Sequence, residues 1–474
     1  RYELIAIDKK KDYLLVAMSD PLNFFAIDDI KMLTKSEIQI AISSREAIIK
    51  NIDKFYRKES TEKMLKEFKE SYEVDSIEGL EEKELLEVAT APIVKLINSI
   101  IQQAIDMRSS DIHIEPCDED IRIRFRIDGD LHEIMRLSIT SLSPIITRIK
   151  IMGKMNIAEK RIPQDGRVET KINGNEIDIR ISTIPTVYGE KVVLRLLDRS
   201  NFMFSKDELG FTKNNLETFD EILRQPYGMI LVTGPTGSGK TTTLYAVLKE
   251  LNKDDKNIIT IEDPVEYKLR GVNQMQINPK AGLTFATGLR SILRQDPDII
   301  MVGEIRDSET AEIAVRAAIT GHLVLSTLHT NDSVSSVIRL VDMGVEPYLV
   351  SSAIIGVVSQ RLVKELCPDC KIPYEASYSE KSLLGLDTEQ KIILYKPKGC
   401  NKCNNGYKGR RAVHEILTVD ECMRQLIDKG ASIDELRNAA EKQGMVSLLR
   451  NSVDLAIEGL TTTEEVLRAG YTLN

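Results

Sequence analysis

Met229-Ile-Leu-Val-Thr233 runs directly into Gly234-Pro235-Thr236-Gly237-Ser238-Gly239-Lys240-Thr241, and Thr242-Thr243-Leu244-Tyr245-Ala246 follows. The first run is β-branched and apolar, the octapeptide matches GxxxxGK[ST] at every fixed position, and the third stretch has helix-forming character. A strand, a glycine-rich loop and a helix in this order are the context in which such a match means a phosphate-binding loop. Glycines let backbone N–H groups wrap phosphates, and the helix N-terminus adds positive potential. Lys240 has the reach for the β and γ phosphates, and the Thr241 hydroxyl suits one coordination position of Mg²⁺. A glycine-rich turn that merely precedes a helix is the competing reading, and the complete motif in context stands against it.

Working outward, short β-rich runs at 257–261, 299–302 and 323–328 alternate with helical stretches, the pattern of a parallel sheet with helical crossovers. Hydrolysis of a bound triphosphate needs a carboxylate to take a proton from the attacking water. Glu304, just after the run from Asp298, is the candidate base, and the residue before it is Gly303 rather than an acid. Glu262 and Asp263 follow another strand and belong to the same sheet edge, where ligands of parallel sheets collect. A helix N-cap or a loop acid is the alternative for either. His329 closes what reads as the last strand of the sheet and suits a γ-phosphate sensor, while His322 opens it. Taken alone, each His reads as structural. Arg180, Arg195, Arg290 and Arg294 are candidates for neutralising charge on a transferring phosphoryl group, with an exposed ion pair of small worth as the alternative.

Cys367-Pro-Asp-Cys370 and Cys400-Asn-Lys-Cys403 form two CxxC pairs. Four thiolates satisfy tetrahedral Zn²⁺ and leave no open position, so the metal is expected to be structural, stapling a small insertion. Free thiols or a redox pair are the alternatives. Cys117 and Cys422 lack partners and read as small core residues.

At 474 residues the chain exceeds the roughly 250 to 300 at which a single core stops growing, so several domains are expected. Its 42% hydrophobic and 29% charged content suits packed domains rather than disorder. A formal charge of −9 gives no general attraction to polyphosphate, so nucleic acid would need a local basic patch. The best candidate, residues 148–167, reads first as a solvated face or subunit contact. No apolar run is long enough to span a bilayer, which leaves only peripheral membrane contact. The chain opens at Arg1 without a Met, so a preceding stretch is expected.

The opening 56 residues alternate β-rich and helical runs, a small α/β module, and a Lys- and Glu-rich linker follows. An apolar periodic helix at 92–107 leads into strands at 111–115, 121–127, 168–172, 176–181 and 191–196, with hairpin signals at Asp128-Gly129 and Asn173-Gly174. That region reads as α+β with an antiparallel sheet. From Val413 onward the segments read as helical, two with capping-box starts, at Ser432 and at Thr461 or Thr462.

Together the P-loop, Thr260-Ile-Glu-Asp-Pro-Val-Glu-Tyr267, the segment from Asp298 to Arg306, Thr320-Gly-His322, His329-Thr-Asn331 and the CxxC pairs make this chain resemble the type II/type IV secretion ATPase superfamily. Ala91-Pro-Ile-Val-Lys-Leu-Ile-Asn98, Arg108-Ser-Ser-Asp-Ile-His-Ile-Glu-Pro116, Arg161-Ile-Pro-Gln-Asp-Gly-Arg167 and Gly409-Arg-Arg-Ala-Val-His-Glu415 extend the match over almost everything past the linker. It is most similar to the pilus-assembly (PilB) and type II secretion (GspE) branches, which carry a zinc insertion that the retraction branch lacks.

The resemblance implies residues 1–57 as the second half of the family's N-terminal domain and 58–87 as linker. It implies 88–204 as a PAS-like α+β domain, 205–366 as a RecA-like motor, 367–412 as the zinc insertion and 413–474 as a helical subdomain. It also implies a hexameric ring with ATP between the PAS-like and motor domains. Lys240 and Thr241 fall to Walker A, Glu304 to Walker B, Glu262 and Asp263 to the Asp box, and His322 and His329 to the His box. Arg180 and Arg195 match arginines expected to reach a nucleotide across a subunit junction, and Arg290 and Arg294 match motor-domain arginines near it. The implied partners are an inner-membrane platform protein of the PilC/GspF kind and a cytoplasmic component of the PilM/GspL kind, at the cytoplasmic face of the inner membrane. In some relatives the first half of the N-terminal domain binds cyclic di-GMP; that half lies outside this chain, so the resemblance leaves such regulation open.

Three functions follow: a motor for pilus or pseudopilus assembly, a DNA-uptake or conjugation motor, and a nucleotide-binding scaffold without turnover. The acidic balance counts against the second, and intact Lys240 and Glu304 count against the third.

Overall fold

The computed structural model describes residues 4–10, 13–21, 23–34, 36–45, 47–48, 91–172, 175–198 and 205–470. The linker expected at 58–87, the last residues of the opening α/β module from 49 onward and the turn residues 173–174 lie outside the described residues. The chain divides into two compact units, Arg1–Asp198 and Arg199–Asn474.

In the first unit, β1 (Leu4–Lys9) pairs antiparallel with β2 (Tyr13–Met18), which pairs parallel with β3 (Glu37–Ile42). Helix α1 (Phe24–Thr34) forms the crossover that a parallel pair requires. Helix α2 (Ala91–Asp106) carries Ile93, Leu96, Ile97, Ile100, Ile101 and Ala104 on one buried stripe, the spacing of a core-facing helix. It packs with α3 (Leu142–Met152) on a six-stranded antiparallel sheet: β4 (Asp111–Pro116), β5 (Asp120–Ile127), β6 (Asp130–Ser138), β7 (Gln164–Ile172), β8 (Asn175–Thr186) and β9 (Gly189–Asp198), in the order β6-β5-β4-β9-β8-β7.

Strand β5 shows why the sheet forms. Ile121, Ile123, Phe125 and Ile127 point into the core while Arg122, Arg124 and Arg126 point out. Asp128 and Gly129 both take positive φ, 50° and 97°, as the tight hairpin into β6 demands. The β7–β8 ladder runs up to Ile172 opposite Asn175, the register that the Asn-Gly signal implies. Lys150, expected within a solvated basic face, is instead buried, 2.6 Å from Glu190 and donating to the Glu159 carbonyl oxygen.

The second unit is built on a seven-stranded sheet in the order β12-β11-β13-β14-β10-β15-β18. Its strands are β10 (Gly228–Thr233), β11 (Ile258–Glu262), β12 (Asn273–Gln276), β13 (Ile299–Val302), β14 (Leu323–Leu328), β15 (Ile354–Leu366) and β18 (Tyr407–Thr418). All neighbours are parallel except the last pair. Strands β10, β13 and β14 are buried at every residue, as strands covered on both faces must be. Helices α4 (Lys213–Leu223) and α5 (Lys240–Leu251) cover one face. Helices α6 (Phe285–Ile292), α7 (Ser308–Ile319), α8 (Ser333–Asp342) and α9 (Pro347–Ala353) cover the other.

Beyond β15 lie the short strands β16 (Ile372–Glu375) and β17 (Ile393–Lys396) with α10 (Tyr378–Leu383) between them. The chain ends in α11 (Glu421–Asp428), α12 (Ile433–Lys442), α13 (Leu448–Ile457) and α14 (Thr463–Gly470).

Three expectations need correction. Residues 413–418 are strand rather than helix: Val413 to Thr418 complete β18, and the helices start at Glu421. Strand β14 is not the last of its sheet, because β15 and β18 follow it on the far side of β10. Cys422 is exposed on α11 rather than a core residue. The capping box at Ser432 and Glu435 forms as read. At α14, Thr462 Oγ1 accepts from the Glu465 amide, while the Thr461 hydroxyl donates to the Lys364 carbonyl. Among the described residues no helix is long and apolar enough to cross a membrane.

Candidate active site

The loop after β10 sits at the carboxyl edge of the parallel strands, between β14 and β15, so two neighbouring strands wall it. Gly234 and Gly239 take φ of 143° and 90°, a region L-residues rarely occupy, and the bend they allow delivers Lys240 to the first turn of α5. Lys240 Nζ lies 2.8 Å from the Gly234 oxygen and 3.1 Å from the Pro235 oxygen, donating back across the loop. Burial lowers its pKa, and the nearby Glu304 carboxylate opposes that shift. Ser238 is buried and its hydroxyl has no partner among the described residues, so a polar atom waits inside the loop. Thr241 is exposed and Thr242 half-buried at the start of α5.

Glu304 follows β13 and is held from both sides, 2.7 Å from Arg306 Nη2 and 3.3 Å from His329 Nε2. Thr327 Oγ1 donates to the Gly303 oxygen at 2.8 Å and the Ile305 amide to the Thr327 oxygen at 3.1 Å, so β14 fixes the turn that presents the carboxylate. A Cβ on Gly303 would lie 3.3 Å from both Glu262 Cα and the Ile261 oxygen, so a side chain before Glu304 would press on the backbone of β11.

Lys240, Glu304 and His329 thus meet at one edge of the sheet. The other candidates are placed differently. Glu262 is buried within a hydrogen-bonded cluster, accepting from Tyr245, from Thr260 Oγ1 at 2.6 Å and from Gln274 Nε2 at 3.1 Å. Burial raises its pKa against those bonds. Asp263 next to it is exposed. His322 lies at the opposite, amino-terminal edge of the strands: its oxygen accepts from the Gly228 amide and its Nδ1 lies 2.9 Å from the Ala317 oxygen. The length of β14, six residues and about 20 Å, separates it from the P-loop edge. Arg290 pairs with Glu309, and Arg294 Nη1 donates to the Arg290 oxygen at 2.8 Å. Arg180 and Arg195 belong to the first unit, opposite one another on β8 and β9, with Arg195 Nε 3.0 Å from Asp111 Oδ1.

Sequence reasoning passed over Arg306, Tyr245 and Gln274, and also Gln360, whose amide touches the P-loop. Gln360 gave no signal in the sequence, since it lies in the polar stretch Ser359-Gln360-Arg361.

Cys367 and Cys370 follow β15, Cys400 and Cys403 precede β18, and their sulfur atoms all lie within 4.8 Å of one another. The separations are 3.9 Å for Cys367–Cys400, 3.7 Å for Cys370–Cys403 and 3.5 Å for Cys400–Cys403. A tetrahedron with Zn–S bonds of about 2.3 Å has S···S edges of about 3.8 Å, so the four thiols fit that ion. The segment between the pairs shares a core with the carboxyl-terminal helices, Leu384 and Leu394 packing with Val453, Ala456 and Val466.

A doubly covered parallel sheet with a phosphate-binding loop after β10 at its carboxyl edge and a carboxylate after β13, two strands away on the same edge, defines a P-loop nucleoside triphosphatase. Residues 87–468 match the family model of the type II/IV secretion system proteins, and residues 1–62 match the MshEN domain. The chain belongs to the type II/IV secretion system protein family.

Among its relatives is a type IV pilus assembly ATPase PilB of Myxococcus xanthus, 46% identical over 98% of this chain and 84% of that protein. The Thermus thermophilus PilB is 45% identical over 98% of this chain but only 53% of its own length. A type II secretion system ATPase E of Vibrio cholerae is 45% identical over 94% of this chain and 90% of that one. In fold, the chain is similar to the ADP-bound pilus retraction motor PilT, with a TM-score of 0.53 and 26% identity over 80% of this chain and 97% of PilT. The Legionella pneumophila ATPase DotB has a TM-score of 0.59 at 22% identity, covering 80% of this chain and 96% of that one.

Proposed function

We propose that this chain hydrolyses ATP in a homohexameric ring and uses the energy to assemble type IV pili. It would act at the cytoplasmic face of the inner membrane through a platform protein of the PilC/GspF kind and a cytoplasmic component of the PilM/GspL kind. The observation that carries the catalytic part is the meeting of Lys240, Glu304 and His329 around the P-loop. Lys240 would exchange its bonds to the loop carbonyls for the β and γ phosphates. Thr241 would hold Mg²⁺, which when bound neutralises charge on the phosphates. Glu304, released from Arg306 or His329, would accept a proton from water, and His329 would lie toward the γ-phosphate. Arg180 and Arg195 would act from a neighbouring subunit, with Arg290 and Arg294 as motor-domain candidates, and Asp263 is the freer member of its acidic pair. Zinc held by Cys367, Cys370, Cys400 and Cys403 would be structural.

Drive of a type II secretion pseudopilus is the second reading, supported by the nearly equal identity to the secretion ATPase. Deleting the gene in its host and scoring surface pili against secreted enzymes separates the two. Glu304→Gln tests the chemistry: ATP binding should persist while phosphate release falls by about 10² or more, because an amide accepts no proton. Turnover near the wild-type rate would remove Glu304 from the role of base.

A further inference from the structure

Strand β15 passes beside the P-loop with one polar side chain turned toward it. The ladder between β10 and β15 ends at Thr233 opposite Ser359, so Gln360 is the first residue beyond it, level with the loop. Gln360 is 1% exposed, and both atoms of its amide are engaged. Its Nε2 donates to the Ser238 oxygen at 2.6 Å, and its Oε1 accepts from Thr243 Oγ1 at 2.8 Å. A carbonyl oxygen only accepts, so the Ser238 bond fixes which way the amide faces, and Thr243, on the second turn of the helix, supplies the donor that the other end needs.

The same residue shapes the loop at both ends. A Cβ on Gly234 would lie 2.4 Å from the Gln360 main-chain oxygen, and one on Gly239 would lie 2.9 Å from the side-chain Nε2. The strand backbone therefore leaves no room for a side chain at Gly234, and at Gly239 it is the Gln360 amide itself that a side chain would displace.

What this grip does follows from peptide geometry. In a planar trans peptide the C=O and the next N–H point in opposite directions. Holding the Ser238 carbonyl toward Gln360 turns the Gly239 N–H the other way, into the loop, where a phosphate oxygen accepts it. Released from Gln360, the Ser238–Gly239 peptide can flip more readily, because its second residue is a positive-φ glycine that pays little for either orientation.

We propose that Gln360 is the positioning residue of the phosphate-binding loop: through the Ser238 carbonyl it keeps the Gly239 N–H aimed at the phosphates of a bound nucleoside triphosphate. This rests on the ATP-binding function above. Gln360 itself touches no phosphate. Its effect is on the population of loops ready to bind, so it belongs in affinity and KM rather than in the chemical step.

The test uses the full chain, titrated with ATP and ADP and assayed for phosphate release. Gln360→Met, similar in length and unable to donate or accept, should raise KM and both dissociation constants about tenfold, with kcat within about threefold of wild type. A residue that only fills space would lower the melting temperature of the nucleotide-free protein and leave affinity alone. Thr243→Val, which removes only the bond at Oε1, should weaken nucleotide binding about threefold, and Thr243→Ser, which keeps the hydroxyl, should restore it. Affinity unchanged within twofold in a folded Gln360→Met overturns the proposal. If that variant does not fold, unchanged affinity in Thr243→Val does so instead. A wild-type chain that binds no ATP would count against the function and not against this geometry.

Discussion

His414 is fully buried on β18, stacked on Phe211 with ring centroids 3.7 Å apart and planes 14° apart, and neither ring nitrogen has a hydrogen-bond partner among the described residues. Burial alone lowers its pKa to about 3, from an ordinary value of 6.5. The unfolded chain therefore takes up a proton that the folded chain refuses. The stabilising contribution is complete above the unfolded pKa and drains away as the pH falls from about 6.5 toward 3. At pH 5 the loss from this residue is 1.5 units at about 1.36 kcal/mol each, or about 2 kcal/mol.

His414→Phe keeps the stack and removes the titration. The His414 main-chain oxygen, which accepts from Asn215 and Asn451, is untouched by the change. Denaturant unfolding of both proteins at pH 7.5 and pH 5 is the assay. Other acid-sensitive groups are common to both proteins and cancel in the difference. The variant should gain about 2 kcal/mol relative to wild type between the two pH values. Parallel pH dependences for the two proteins would refute the reasoning, because His414 would then be protonated as readily inside the fold as outside it.

Cys370→Ser or Cys403→Ser should abolish stoichiometric zinc by elemental analysis and make residues 367–403 the first site of limited proteolysis, with ATP affinity kept within about twofold. Lys150→Met leaves Glu190 as an unpaired buried carboxylate and should cost about 3 to 5 kcal/mol in urea unfolding, while adding Glu190→Gln should recover much of that. Gly303→Ala places a methyl 3.3 Å from the neighbouring backbone, so it should lower phosphate release by moving Glu304 while ATP binding persists.

Much of the motor was legible because its signals are local. A P-loop needs contiguous residues, and the strands at β10, β13 and β14 are apolar runs bounded by turn or cap residues. Strands β15 and β18 escaped because their pairing is long-range: Val357 lies opposite Leu417, and nothing local in Lys408-Gly409-Arg410-Arg411 suggests a strand. Glu262 and His322 show the other limit. Sequence order puts both next to strands, but only the fold reveals that one carboxylate turns into α5 and that one imidazole sits at the wrong end of β14. Gln360 was invisible for the same reason, since its partner Ser238 lies 122 residues away.

The strand order has a consequence for how the chain is made. Strand β10 is flanked in space by β14 and β15, and Thr233 reaches its partner Leu328 only after 95 more residues have been added. During synthesis the phosphate-gripping loop must therefore leave the ribosome long before the walls that shape it. The hairpins of the preceding unit close on themselves meanwhile, because their contacts are short in sequence. A nascent motor half thus spends the longest interval with bare strand edges, and that window is where chaperones or premature aggregation would find it.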